Sequence, residues 1–203
     1  MTKIKLCGLT RSDDIETANE LAVDYIGFVF ARNSRRYLPF DKARELKSRL
    51  AENIKAIGVF VNEDPVIVAK ILKQGIIDGV QLHGSEDHDY IKKLKELTNK
   101  PIIKAYRIRK KEDLNKAYVC IADYLLLDSG SGSGQLLDFD LIKDFKRPYF
   151  LAGGLDSENV AKAISYLKPA GVDVSSGIET AGLKDKNKMI AFVNNVRKEE
   201  KND

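Results

Sequence analysis

The chain contains no tryptophan, two methionines, two histidines and two cysteines in 203 residues. Two thiols, Cys7 and Cys120, are far below the density of a disulfide-stapled scaffold and fit a reducing compartment. Metal binding needs convergent ligands, and this supply offers one thiol and one histidine, Cys7 and His83, near strand ends, so no metal site is expected. No apolar run approaches the roughly 18 residues of a membrane span. The start, MTKIKLCGLT, has neither an apolar signal core nor a small-residue cleavage site. An excess of one charge sign is also missing, with 34 basic against 30 acidic residues. The basic clusters RIRKK (107–111) and RR (35–36) are short and lack the aromatic interleaving of an RNA-binding surface. The expectation is a soluble, cytoplasmic protein that engages neither membrane nor nucleic acid. Its mildly basic surface suits an anionic small molecule.

What is present is alternation. Eight compact apolar runs recur: KIKLC (3–7), YIGFVF (25–30), AIGVFV (56–61), GVQLH (79–83), PIIKAY (101–106), DYLLLD (123–128), PYFLAG (148–153) and GVDVSS (171–176). Each reads as a strand buried on both faces, as in a parallel sheet. Between them lie stretches of helical period. SDDIETANELAV opens with Ser12 as an N-cap, PFDKARELKSRLAEN places Ala43, Leu46 and Leu50 on one face, DPVIVAKILKQG stops at Gly75, and DSENVAKAISYLKP runs from Asp156 or Ser157 to Pro169. No linker or low-complexity tract interrupts the pattern, and 43% hydrophobic residues over this length make one substantial core. Eight βα units in a single domain spanning 1–203 predict a compact (β/α)8 TIM barrel. An open doubly wound sheet is the rival, but no G-x-G-x-x-G follows the first strand.

In such a barrel, chemistry collects at the C-terminal ends of the strands. Those ends read Cys7-Gly8, then ARNSRR with Arg35 and Arg36, His83-Gly84, Asp128-Ser129, Gly153-Gly154 and Ser175-Ser176-Gly177. The turns after strands 7 and 8 bring bare backbone N–H groups towards helix starts, which suits a phosphate. A carboxylate ending YLLLD is costly unless partnered or functional. Cys7 is either a small buried hydrophobe or a base whose thiolate is favoured by nearby positive potential. As a pair, Cys7 and Asp128 offer a base and an acid on opposite sides of the mouth. His83 is either a hydrogen-bonded rim residue or catalytic.

The segments KLCGLT (5–10), IGFVFARNSRRYL (26–38), GVFVN (58–62), GVQLHGSE (79–86), LLLDS (125–129), LAGGLDSENV (151–160), VDVSSGIE (172–179) and GLKD (182–185) resemble the phosphoribosylanthranilate isomerase family, in order and over nearly the whole chain. The resemblance implies a small (β/α)8 barrel without a cofactor, performing an Amadori rearrangement of a phosphorylated aminosugar. It implies that Asp128 is the general acid, Cys7 the general base and Arg36 the cation facing the anthranilate carboxylate, with His83 and Asp173 lining the pocket. The phosphate would rest on Gly153, Gly154, Ser176 and Gly177, joined by Gly132 from the loop after strand 6. That loop departs from the family pattern G-G-[ST]-G-x-x-F-D-W: it reads SGSGQLLDF, with Ser131 for the first glycine, Leu137 for phenylalanine and Phe139 for tryptophan. A different phosphosugar barrel enzyme, or an inactive barrel that only binds a phosphorylated ligand, is the alternative. A monomer is expected rather than a homodimer.

Overall fold

The computed structural model describes residues 1–128 and 139–199. Its eight parallel strands are β1 (Lys3–Cys7), β2 (Tyr25–Val29), β3 (Lys55–Phe60), β4 (Gly79–Leu82), β5 (Ile102–Arg107), β6 (Tyr124–Asp128), β7 (Tyr149–Ala152) and β8 (Gly171–Val174). They pair in sequence order and β8 closes on β1, through Lys3↔Gly171 to Leu6↔Val174, to give a closed barrel. Every apolar run expected to be a strand is one, with ends shifted by a residue or two. A short antiparallel hairpin of β9 (Glu179–Thr180) and β10 (Leu183–Lys184) follows β8.

The helices are α1 (Ser12–Glu20), α2 (Phe40–Lys47), α3 (Pro65–Lys73), α4 (His88–Leu97), α5 (Leu114–Tyr118), α6 (Phe139–Ile142), α7 (Val160–Leu167) and α8 (Lys186–Glu199). Their starts follow local chemistry. Asp64 accepts from Val66 N at 2.7 Å with Pro65 in the first turn, and Asp87 accepts from Tyr90 N at 2.9 Å. Gly75 ends α3 at φ +69°, a left-handed position that glycine adopts without Cβ strain. Two helix starts differ from expectation. Ser12 lies inside α1, whose cap position is Arg11. There the Asp14 carboxylate turns back to accept from Thr10 N and Arg11 N at 2.9 and 3.0 Å, so an acid in the first turn replaces the hydroxyl cap. At α7, Asp156 accepts from Glu158 N and Asn159 N, and regular helix begins only at Val160.

Strand alternation divides the core in two. Leu6, Ile26, Phe28, Val80, Leu82, Leu125, Leu127, Leu151 and Val172 point outward and join the helices in one large apolar layer. Ile57, Ile103, Ala105, Leu126, Phe150 and Ala152 point inward and fill the barrel. Each fully buried side chain of this size stabilises the fold by about 1.5–3 kcal/mol. Towards the C-terminal mouth the inward positions turn polar: Lys5 and Cys7 on β1, Gln81 and then His83 on β4, Asp128 on β6, Asp173 and then Ser175 on β8.

Candidate active site

The inward polar positions line a cavity of about 680 Å³ whose wall includes Cys7, Arg36, Gln81, His83, Asp128 and Asp173, with Gly153, Gly154, Ser175 and Ser176 at its rim. The chain thus brings nearly all the expected site residues to one place. Gly177 sits just behind the rim: a Cβ there would meet the Leu155 carbonyl oxygen at 1.9 Å, so it lets the loops after β7 and β8 touch. Gly132 lies outside the described residues, as does most of the loop after β6.

Cys7 ends β1 and its thiol occupies space that Gly27 on β2 leaves open; a Cβ on Gly27 would lie 2.6 Å from Sγ. Gly8 then turns the chain at φ +79°, donating its N–H to Gly27 O at 2.8 Å. Cations do face Cys7, as expected, but burial works against the thiolate they favour. Burial pushes the thiol up most strongly; Lys5 and Lys184 pull it down while Asp173 raises it, and the net shift is upward. The resting residue is a thiol.

Across the mouth, with β7 and β8 between them, stands Asp128. His83 Nε2 lies 3.3 Å from Asp128 Oδ2, and His83 Nδ1 lies 2.8 Å from Gln81 Nε2. The imidazole therefore links the ends of β4 and β6 in the cavity wall, and its two ring nitrogens have separate partners. Gln81 is buried, and its Oε1 has no hydrogen-bond partner among the described residues.

Arg35 and Arg36, adjacent after β2, both converge on Glu179 of β9. Arg36 Nε and Nη2 lie 2.6 and 2.9 Å from its two oxygens, and Arg35 Nη2 lies 2.7 Å from Oε2. Lys184 completes the cluster, donating to Glu179 Oε1 at 2.7 Å and to Ser175 O at 2.9 Å. Burial would push the Glu179 carboxyl up, but the bonds from Arg36 and Lys184 outweigh it and hold the carboxyl below the usual range. Asp173 lines the cavity, yet its Oδ1 accepts from the fully buried Lys5 ammonium at 2.8 Å.

At the far rim, Gly153 and Gly154 adopt φ of +91° and +67°, and Asn159 Nδ2 pins the turn through Gly154 O at 2.9 Å. Among the described residues, no loop or turn hydrogen bond engages the N–H groups of Gly153, Gly154, Ser176 or Gly177. Backbone donors of this kind, clustered on two adjacent turns, form an anion cradle. No group of three or more His, Cys, Asp or Glu among the described residues is placed to hold a metal ion.

Four members of this site, Lys5, Gln81, Glu179 and Lys184, escape a reading centred on strand ends. The first two had a signal. In KIKLC, GVQLH and GVDVS a polar residue stands two before another, so each pair shares one strand face. A lysine or glutamine aligned with a cysteine or histidine inside a barrel is a site residue by position. Glu179 and Lys184 carried no such signal, because only the β9–β10 hairpin returns them to the mouth.

A closed parallel barrel with an acid, a base and an anion cradle on its C-terminal face is a (β/α)8 enzyme for phosphorylated substrates. Residues 4–195 match the family model of N-(5'phosphoribosyl)anthranilate (PRA) isomerase. The chain is 44% identical to the N-(5'-phosphoribosyl)anthranilate isomerase of Endomicrobium trichonymphae, over 97% of this chain and 99% of that protein. It is 45% identical to that of Caldanaerobacter subterraneus subsp. tengcongensis, over 97% and 98%. It superimposes on the phosphoribosyl anthranilate isomerase of Thermotoga maritima with a TM-score of 0.89 at 34% identity, covering 98% of this chain and 100% of that one. The chain belongs to the phosphoribosylanthranilate isomerase family.

Proposed function

We propose that the chain converts N-(5'-phosphoribosyl)anthranilate to 1-(2-carboxyphenylamino)-1-deoxyribulose 5-phosphate, with Asp128 as acid and Cys7 as base. The observation that carries the assignment of roles is the placement of these two groups on facing strands of one cavity, beside an anion cradle. A solved relative bound to reduced 1-(o-carboxyphenylamino)-1-deoxyribulose 5-phosphate, 34% identical with a TM-score of 0.88, supports the ligand class.

The chemistry follows from the geometry. Asp128 donates a proton to the furanose ring oxygen as the C1–O bond breaks, and the anilino nitrogen lone pair forms the C1=N iminium. His83 holds the Asp128 carboxyl in place through Nε2. The Cys7 thiolate then removes the proton on C2. The C–H electrons form C1=C2, and the iminium π electrons return to nitrogen, giving an enolamine. Protonation of C1 and loss of the enol proton give the ketone, so atoms balance with no redox partner. The positive charge of the iminium favours the thiolate in the bound state, which the resting thiol requires. Arg36 already grips a carboxylate edge-on through Nε and Nη2, and its Nη1 side remains for the anthranilate carboxylate. The turns after β7 and β8 hold the phosphate through backbone N–H groups. The test is the fluorescence of freshly prepared phosphoribosylanthranilate, which decays on addition of the purified chain; an unchanged signal overturns the assignment.

A further inference from the structure

Lys5 is completely buried inside the barrel, and its ammonium is paired with Asp173 at 2.8 Å. A buried ion pair is poor evidence of a stabilising device, because desolvating both charges costs several kcal/mol and an apolar pair fills the same space as well. Lys3–Cys7 is a strand, so Lys5 and Cys7, two residues apart, stand on the same inward face, with the lysine ammonium one layer below the thiol. Asp173 is directly opposite Lys5 in the β1–β8 register, so the carboxylate fixes the ammonium in the layer beneath the thiol.

Building on the reading of Cys7 as the base, we propose that Lys5 is its built-in counter-cation: a positioning residue that, anchored by Asp173, carries the charge opposite the thiolate. Three charged groups face Cys7 from the elements around it: Lys5 from β1, Asp173 from β8 and Lys184 from β10. Arg36 passes over Gly8 nearby, but Glu179 engages it, and Glu179 also engages Lys184. Lys5 is therefore the cation with the most direct claim on the sulfur. Burial works against the Lys5 ammonium, and the carboxylate of Asp173 is the chief group favouring its charged form. Lys5 touches no substrate atom. It lowers the cost of the thiolate that takes the C2 proton.

The test reads the thiolate directly and does not depend on turnover. Alkylation of Cys7 by iodoacetamide, followed by peptide mass spectrometry so that Cys120 does not interfere, is measured against pH in the wild type, in Lys5→Met, and in Lys5→Met/Asp173→Asn, which leaves no unpaired buried charge. Loss of the cation moves the alkylation midpoint to higher pH. Labelling at a pH below both midpoints then slows about tenfold for each pH unit by which the midpoint rises. In Lys5→Met, whose changed residue is fully buried outside the cavity wall, the product analogue keeps its affinity while kcat falls. The direction is diagnostic. A variant that merely loosens the barrel admits water, relieves the burial that raises the thiol, and speeds alkylation. A folded Lys5→Met protein that alkylates Cys7 as fast as the wild type, or faster, overturns the proposal; the double variant, which also loses the Asp173 charge that raises the thiol, falls between the two. Failure of Cys7 as the base shows separately, as full turnover by Cys7→Ala.

Discussion

At the scale of the residue, the two side chains proposed to react are set by opposite means. Asp128 has a bonded neighbour in His83, whereas Cys7 owes its position to an absence, the missing side chain of Gly27. Asp128→Asn keeps the shape and removes the proton, so kcat falls by about 10²–10⁴. Cys7→Ala produces a similar loss with affinity for product analogue retained; single-turnover rates on folded protein check both. Because Cys7 rests as a thiol with its ionisation pushed up, kcat/KM of the wild type rises with pH through the neutral range. A profile already flat at pH 6 contradicts the role of the thiolate. The arginine pair behaves less independently than adjacent residues usually do. Arg36→Ala raises KM and also frees Glu179 from its bidentate partner. Arg35→Ala, at a side chain 61% exposed, raises KM about two- to threefold through a slackened Glu179. Steady-state kinetics of both variants separate the direct contact from the indirect one.

At the scale of the element, short hydrogen-bonded turns position what the strands deliver. The loop after β4, which carries His83, is held by a buried pair: Lys104 Nζ lies 2.7 Å from Glu86 Oε2, and Glu86 also accepts from Asn62 N and Gly84 N. The turns after β7 and β8 are pressed together at Gly177, and among the described residues their glycine N–H groups take no loop or turn hydrogen bond. A side chain at Gly154 would strain a backbone at φ +67°, so a cleaner probe of the cradle is Ser176, which is exposed. Ser176→Asp puts a carboxylate at the rim proposed to hold the phosphate. Like-charge repulsion at the rim raises KM about tenfold and weakens inhibition by inorganic phosphate by a similar factor, with kcat little changed. Unaltered phosphate inhibition in the folded variant places the anion elsewhere.

For the molecule as a whole, the Glu179 cluster is a seam. It ties the loop after β2 to the hairpin after β8 across the end of β1, through Arg35, Arg36 and Lys184. The Glu179 carboxyl lies below its ordinary range when folded. A lowered carboxyl contributes stability that is complete above the unfolded value, about 4.3, and is lost as pH falls through the folded value. Glu179→Gln therefore lowers the thermal midpoint at pH 7, and the gap to the wild type closes below about pH 4. Thermal scans of both proteins across pH 3–8 check it; a gap that persists in acid means the loss comes from packing and not from charge.

The closed barrel was legible in the sequence because burial on both faces makes parallel strands read as short apolar runs, and eight of them in strict alternation with helices allow few topologies. The chemistry at the strand ends was equally legible, since Cys7, His83 and Asp128 each interrupt an apolar run at the same end. Other features required the third dimension. The thiol's ionisation depends on how completely Gly27, Lys5 and Asp173 enclose it, and enclosure is a sum over strands far apart in sequence. The start of α1 turned on Asp14 folding back, a competition between a hydroxyl cap and a carboxylate that composition does not decide. The convergence of Arg35 and Arg36 came from Glu179, more than 140 residues away, brought back by a two-stranded hairpin. Local pattern determines which residues reach the mouth of this barrel; only closure of the ring determines which charges they meet there.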